Sequence, residues 1–296
     1  MHLPLSKILA IPCVIGAAIF IYLAYFSSEE YGIYIVPFLI ALIGLYFLQP
    51  AIDWWWYQRY PPDVEAPLRK LFEFKLPYYQ RLSEANRQKF RSRVSLYIEA
   101  NDFRPQVIEE IPEDVKGMVA ANIVMLTFGQ EDYLLNSFER IVIYPGVFPT
   151  PQHIEKFHAS EIFEEDGVLL FAMDHLMPGT LHADQYFNIG LYEYAKVFRL
   201  SRPDAAYPDL TEDIWTAYET ISRFPRKKVE DFVGLAPLDL WAVGVVFFFS
   251  FSEKFKTVLP DLYQTHANLF NQQPEKSEDP VVVALSVNSS SKKPSY

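Results

Sequence analysis

Hydrophobic and polar positions divide the chain into two unlike parts. After Lys7, the run Ile8 to Phe26 carries no charged residue, and its nineteen residues at helical rise approach the thickness of a bilayer's hydrocarbon layer. Ser27 to Gly32 forms a polar break with Glu29 and Glu30, after which Ile33 to Ile52 is again uncharged as far as Asp53. This spacing predicts a transmembrane hairpin in residues 1–60, with helices over about 8–26 and 33–52. Trp54, Trp55, Trp56 and Tyr57 supply an aromatic belt at headgroup depth. A cleaved signal peptide would need small residues ahead of its cut, where this chain has Tyr25 and Phe26, and a second apolar run follows at once. Pro12 and Pro37 are compatible with lipid-embedded helices, whose neighbours satisfy the freed carbonyls. Lys7 precedes the hairpin, the connecting loop has no Lys or Arg, and Arg59, Arg69, Lys70 and Lys75 follow. The expected topology puts both ends of the hairpin and the main domain on the cytoplasmic side of the inner membrane, with membrane lipid as the hairpin's partner.

From Asp63 onward the text is charged and amphipathic. Pro67 to Phe74 predicts a short helix. Leu82-Ser83 through Ile98 predicts a longer one, with Phe90, Val94, Tyr97 and Ile98 inward and Arg87, Lys89, Arg91 and Arg93 in water or against anionic lipid. Val107 to Ile111 reads as a strand and Glu113 to Thr127 as a helix whose apolar face holds Met118, Ala121, Ile123, Val124 and Leu126. Ile141 to Tyr144 reads as a strand closed by Pro145-Gly146. Between Pro149 and Asp184 the pattern gives loops and one further strand, Val168 to Met173. Leu210 to Ile221, with Trp215 and Tyr218 at helical spacing, is expected to pack against a helix at 188–199. Leu238 to Phe251 is nearly all apolar, but fourteen residues with Asp239 and Gly244 among them are too few for a bilayer and read as a buried helix. These elements predict an α+β, predominantly helical domain over 61–274. The Pro, Ser, Lys and Glu text beyond it predicts a disordered tail at 275–296.

A formal net charge of -11 and a pI near 5.1 leave no electrostatic footprint for nucleic acid. The one cysteine, Cys13, excludes an intramolecular disulfide and suits a reducing compartment. The 24 phenylalanines and 19 tyrosines read as core and membrane-interface packing. No glycine-rich nucleotide loop and no Ser/His/Asp or Cys/His arrangement stands out. His153, His158, His175 and His182 fall in the region expected to be loops. His158 and Glu161, three apart, could share a helical face as a metal pair; exposed or locally hydrogen-bonded histidines are the plainer reading.

The informative stretch is Asn188 to Arg199, N-I-G-L-Y-E-Y-A-K-V-F-R. Ile189, Leu191, Ala195 and Phe198 recur at helical intervals, which makes this a buried helix with Glu193 and Lys196 as its charged members. Around Glu193 the text Y-E-Y-A-K has the outline of the zinc peptidase motif H-E-x-x-H, with the glutamate kept and both histidines replaced. Other stretches accompany it: Leu76-Pro77-Tyr78-Tyr79 with Arg81-Leu82, Met118-Val119-Ala120-Ala121, and Ile141 to Gly146. Ala236-Pro237-Leu238-Asp239 with Ala242-Val243 and Pro260-Asp261-Leu262-Tyr263 follow in order. In these features the chain, from about Leu71 to Pro274, resembles the Mlc titration factor A (MtfA) family of bacterial zinc-dependent peptidases.

The resemblance implies a zincin-like metallopeptidase domain. In that family two motif histidines bind zinc, the glutamate activates the metal-bound water, a glutamate on a later helix completes the ligands, and a tyrosine shortly before it assists. Carried over position by position, the histidines are Tyr192 and Lys196, the water-activating residue is Glu193, the third ligand is Asp239 and the assisting tyrosine is Phe232. A hydrolytic zinc needs three protein donors with free lone pairs and an open position for water. Lysine presents donors only and adds positive charge where a dication would sit, and a phenol must ionise before it ligates well. The expectation is therefore that no zinc or other cofactor binds, and that Glu193 has no activated water to serve. Lys196 is expected to replace the metal as counter-charge to Asp239 and Glu193, the alternative being a stem that merely snorkels to solvent.

Three functional readings follow. One is a membrane-tethered pseudopeptidase with a regulatory role, binding a protein or peptide at the old cleft; the family's named member binds a transcriptional repressor of sugar uptake. Another is a working, aminopeptidase-like zinc enzyme that recruits Asp239 with His175 or His182. The third is a structural membrane protein with a filled cleft.

Overall fold

A computed structural model describes residues 4–135 and 137–275, and the chain divides into two compact units, Met1–Asp63 and Val64–Tyr296. In the first, α1 (Leu5–Phe26) leads through a 3-10 helix (Glu29–Tyr34) into α2 (Ile35–Arg59). Their mean hydropathies, 2.3 for α1 and 2.1 for Glu29–Arg59, make both long and apolar enough to cross a membrane. Ile11, Val14, Ile15, Ile19, Ile40 and Ile43 lie exposed along them, unlike the residues of a helix buried in a water-soluble core.

The second helix outruns its predicted end at Ile52, carrying Asp53 and the tryptophans through to Arg59. The reason is that Asp53 is buried: it accepts the Ser6 N–H at 2.8 Å and the Ser6 hydroxyl at 2.7 Å. Helix α1 has no side-chain cap of its own after Pro4, so the facing carboxylate satisfies one of its first-turn donors. Close approach also needs Gly16, where an added Cβ would stand 2.3 Å from the Phe38 ring.

The second unit begins with α3 (Ala66–Lys75), α4 (Pro77–Arg81) and α5 (Glu84–Ala100), the last capped by Ser83 accepting the Asn86 N–H. Strand β1 (Asp102–Pro105), α6 (Glu113–Thr127) and β2 (Arg140–Tyr144) follow. After them come a ribbon of β3 (Phe148–Thr150) and β4 (His153–His158), then β5 (Ser160–Phe163) and β6 (Val168–Ala172). The rest is helical: α7 (Met173–Leu181), α8 (Ile189–Ser201), α9 (Ile214–Ser222), α10 (Arg226–Val233), α11 (Leu240–Ser250), α12 (Ser252–Val258) and α13 (Pro260–Phe270).

Four strands form one sheet in the order β1-β2-β6-β5, with β5 antiparallel to β6 at one edge and the other pairings parallel. Every residue of β6 is buried, as a strand covered on both faces requires. Helix α6 is the centre of the core, buried from Gly117 through Thr127, and α8 packs against α6, α7, α11 and the edge strand β5. Helix α11 is apolar all round and buried; eleven residues rise about 16 Å, half of what a bilayer needs.

Several expectations are corrected. The strand lies at Asp102–Pro105, paired with β2, and not at Val107–Ile111; Val107 sits at φ 71° and is 84 % exposed, outside any ladder. Arg91 and Arg93 do not face water. Arg91 is buried against the Tyr79 hydroxyl at 2.6 Å, and Arg93 donates to the carbonyls of Thr127, Phe128 and Gln130, capping the end of α6. Met173 opens α7 instead of closing β6, and β4 and β5 occupy text expected to be loops. Helix α9 packs chiefly on α11 and α12. Of the expected tail, Glu275 is held by Ser252 at 2.8 Å and Lys256 at 3.0 Å, and residues 276–296 lie outside those described.

Candidate functional site

Helix α8 is placed by its first residues. Asn188 caps it by accepting the Leu191 N–H at 3.0 Å, and its amide donates to Asn122 Oδ1 of α6 at 2.8 Å. Asn122 in turn donates to Met118 O and Thr180 Oγ1. Gly190 admits this buried asparagine: a Cβ there would stand 2.4 Å from Asn122 Nδ2. Three helices are thus locked together by amides with no water access, which fixes the rotation of α8 and hence where its next turn points.

That turn carries Tyr192, Glu193 and Lys196. Glu193 is 1 % exposed, and both of its oxygens are used: Oε1 accepts the Ser160 hydroxyl of β5 at 2.7 Å, and Oε2 accepts Lys196 Nζ at 2.6 Å. The Lys196 ammonium also sits 5.1 Å from the centroid of the Tyr192 ring, so the two residues expected at the histidine positions touch each other. The Tyr192 hydroxyl accepts the Asp239 N–H at 3.0 Å. Burial, with the Glu193 charge adding to it, pushes the Tyr192 phenol far above its usual pKa, so it stays protonated.

Asp239 requires a correction. Its counter-charge is Arg199, which reaches both carboxylate oxygens, with Nη1 at 3.3 Å from Oδ1 and Nη2 on Oδ2. Nor does Asp239 lie within its helix: it is the N-cap of α11 and accepts the Ala242 N–H at 3.0 Å. Lys196 therefore neutralises Glu193 alone. It does not snorkel away, although its side chain keeps 26 % exposure. Arg199 escaped the sequence reading although its position was legible, since it follows Lys196 by three residues on the same helical face. Ser160 left no such signal, because its strand carries no strong pattern.

Phe232 joins a different group. Its ring lies 4.6 Å from that of His175 and 6.1 Å from that of Tyr186, beside a cavity bounded also by Phe187, whose ring is 5.6 Å from Tyr192. The histidines do not converge on the motif helix. His158 is fully buried between Lys156 O at 3.0 Å and Glu161 Oε2 at 3.1 Å, with His153 3.5 Å from the other Glu161 oxygen. They lie on the β3–β4 ribbon, not in loops. His175 pairs with Asp174 at 2.7 Å and His182 ends α7. Among the described residues no group of three or more His, Cys, Asp or Glu side chains is arranged to hold a metal ion.

A family model of glucose-regulated metallo-peptidases matches residues 53–271. The chain belongs to the M90 metallopeptidase family. No curated protein matches the sequence. Its M90 relationship, shared with Mlc titration factor A, raises the question of zinc, and the donor set does not fit that ion. A protonated phenol that accepts a backbone N–H, an ammonium bound to the carboxylate of the motif helix, and an aspartate gripped by a guanidinium do not supply the three free anionic or imidazole donors that zinc needs.

Proposed function

We propose that this M90 chain is a membrane-tethered pseudopeptidase: a zincin-like domain that keeps the motif helix, hydrolyses nothing, and binds a protein or peptide in a regulatory role. The observation that carries the reading is the Lys196–Glu193 pair at 2.6 Å, which places a fixed cation where the motif would hold a dication. The Arg199–Asp239 pair completes it by occupying the third-ligand position. With its two oxygens committed to Ser160 and Lys196, Glu193 is not free to act as the base that activates a water.

Tethering rests on the two apolar helices, whose exposed faces suit lipid, and on the basic residues Lys7 and Arg59 to Lys75, which favour the cytoplasmic side of the inner membrane for both ends. The recruited-ligand reading loses support because Asp239 is bound to Arg199, and because among the described residues no three His, Cys, Asp or Glu side chains converge on a metal-sized site. The test is the zinc content of detergent-solubilised protein beside a Tyr192→His, Lys196→His, Asp239→Glu triple variant. The expected result is metal in the variant and none in the parent. Stoichiometric zinc in the parent, with chelator-sensitive peptide cleavage, overturns the proposal.

A further inference from the structure

Next to the motif helix lies a cavity of about 340 Å³, near the lower limit for small-molecule pockets, so it suits one residue-sized group and not a long peptide. Phe187, Phe224 and Val229 are buried and form its floor. Tyr186 and Phe232 flank it with ring centroids 6.1 Å apart, and Gln185 and Lys228 stand exposed at the rim. None of these residues is acidic.

Lys228 differs from the other basic residues of its helix. Its neighbours on α10 are paired, Lys227 with Asp231 at 3.1 Å and Arg226 with Glu230 at 2.7 Å. Among the described residues the Lys228 ammonium has no carboxylate partner, and it rests 4.8 Å from the centroid of the Phe224 ring. In a protein of net charge -11, an unpaired cation over an aromatic hollow favours a ligand with an apolar body and an anionic head.

We infer that this cavity binds an apolar carboxylate, its aryl or branched alkyl group among Phe187, Phe224 and Phe232 and its carboxylate on Lys228. The C-terminal residue of a polypeptide and a free apolar acid share that chemistry. The inference rests on the partner-binding reading above only for the source of the ligand.

The experiment is calorimetric titration of the full-length protein in nanodiscs, with empty nanodiscs as reference. The probes are N-acetylphenylalanine, its C-terminal amide, and a hexapeptide ending in phenylalanine with a free carboxylate. The acid is expected to bind about tenfold more tightly than the amide, as loss of one charge-assisted hydrogen bond implies. Lys228→Gln, on an exposed side chain that folding does not need, should erase that difference and leave amide binding unchanged. Phe232→Ala should weaken both. Equal binding of acid and amide, or a Lys228→Gln protein that still prefers the acid, overturns the inference. A peptide that binds more tightly than the acid assigns the source to a polypeptide; equal affinities assign it to the free acid, and both support the chemistry. Zinc is measured on the same sample: zinc with intact acid binding sinks the pseudopeptidase reading alone, and absent acid binding without zinc sinks the pocket alone.

Discussion

Replacing Lys196 with methionine keeps an unbranched stem one heavy atom shorter and removes the ammonium with its hydrogen bond, leaving Glu193 at 1 % exposure with Ser160 as its remaining partner among the described residues. Breaking a fully buried ion pair costs about 3–5 kcal/mol, because the surviving charge is uncompensated. The 26 % exposure of Lys196 means that solvent screens part of the attraction, which reduces the expected cost to about 2 kcal/mol. For a domain of this size that is a fall in Tm of about 4–8 °C. Glu193→Gln should cost less, about 1 kcal/mol, since the freed lysine can extend to water while Ser160 still finds an oxygen. The double variant should be less damaging than the sum of the two, with a coupling of about 1–2 kcal/mol. Tryptophan fluorescence during thermal unfolding in nanodiscs reads all three. A Lys196→Met protein as stable as the parent, or strict additivity in the double variant, refutes the claim that this pair neutralises the site.

Other outcomes follow from the same structure. His266 is fully buried, donates Nδ1–H to Leu262 O at 2.8 Å, and leaves Nε2 without a hydrogen-bond partner among the described residues, so burial lowers its pKa from 6.5 to about 4. Because the folded value is depressed, the stability it contributes is full above pH 6.5 and is lost as pH falls toward 4, by about 3 kcal/mol, and His266→Phe should flatten that limb of a urea-unfolding pH series. Asn188→Ala loses the α8 cap and the link to Asn122, and should cost about 1–3 kcal/mol in urea unfolding; Asn188→Asp retains the cap acceptor but turns a buried carboxylate oxygen onto Asn122 Oδ1, and should cost at least as much at neutral pH. Asp53→Ala strips the Ser6 donors of their partner and should loosen the open end of the hairpin, read as a broader distance distribution between spin labels at the two helix ends, with a loss of about 1–2 kcal/mol.

Periodicity was enough wherever burial was one-sided or complete. Glu113–Thr127 appears with its expected ends, and Leu240–Ser250 is the buried helix that its length demanded. The motif helix was legible because Ile189, Leu191, Ala195 and Phe198 repeat at its period. What local pattern cannot carry is the choice of tertiary partner. Arg91 and Arg93 look like a solvated face until the Tyr79 hydroxyl and the final carbonyls of α6 are brought beside them. In strand β4 the apolar residues Ile154 and Phe157 lie exposed beside polar ones and only the last position is buried, so no alternation marks it. At the site, Tyr192, Glu193 and Lys196 were placed together by spacing alone, but the assignment of Lys196 to Glu193 and Arg199 to Asp239 depends on how α11 begins, with Asp239 turned outward as a cap. Phe232 fell at its expected sequence position and yet belongs to the neighbouring cavity.

The central claim is that nitrogen, not metal, neutralises the carboxylates between α8 and α11. Its most direct test is elemental analysis of the intact protein in nanodiscs after equilibration with excess zinc and removal of unbound ion. The expected result is substoichiometric zinc, unchanged by Lys196→Met. One tightly held zinc per chain, lost when Glu193 or Asp239 is replaced by alanine, would contradict it.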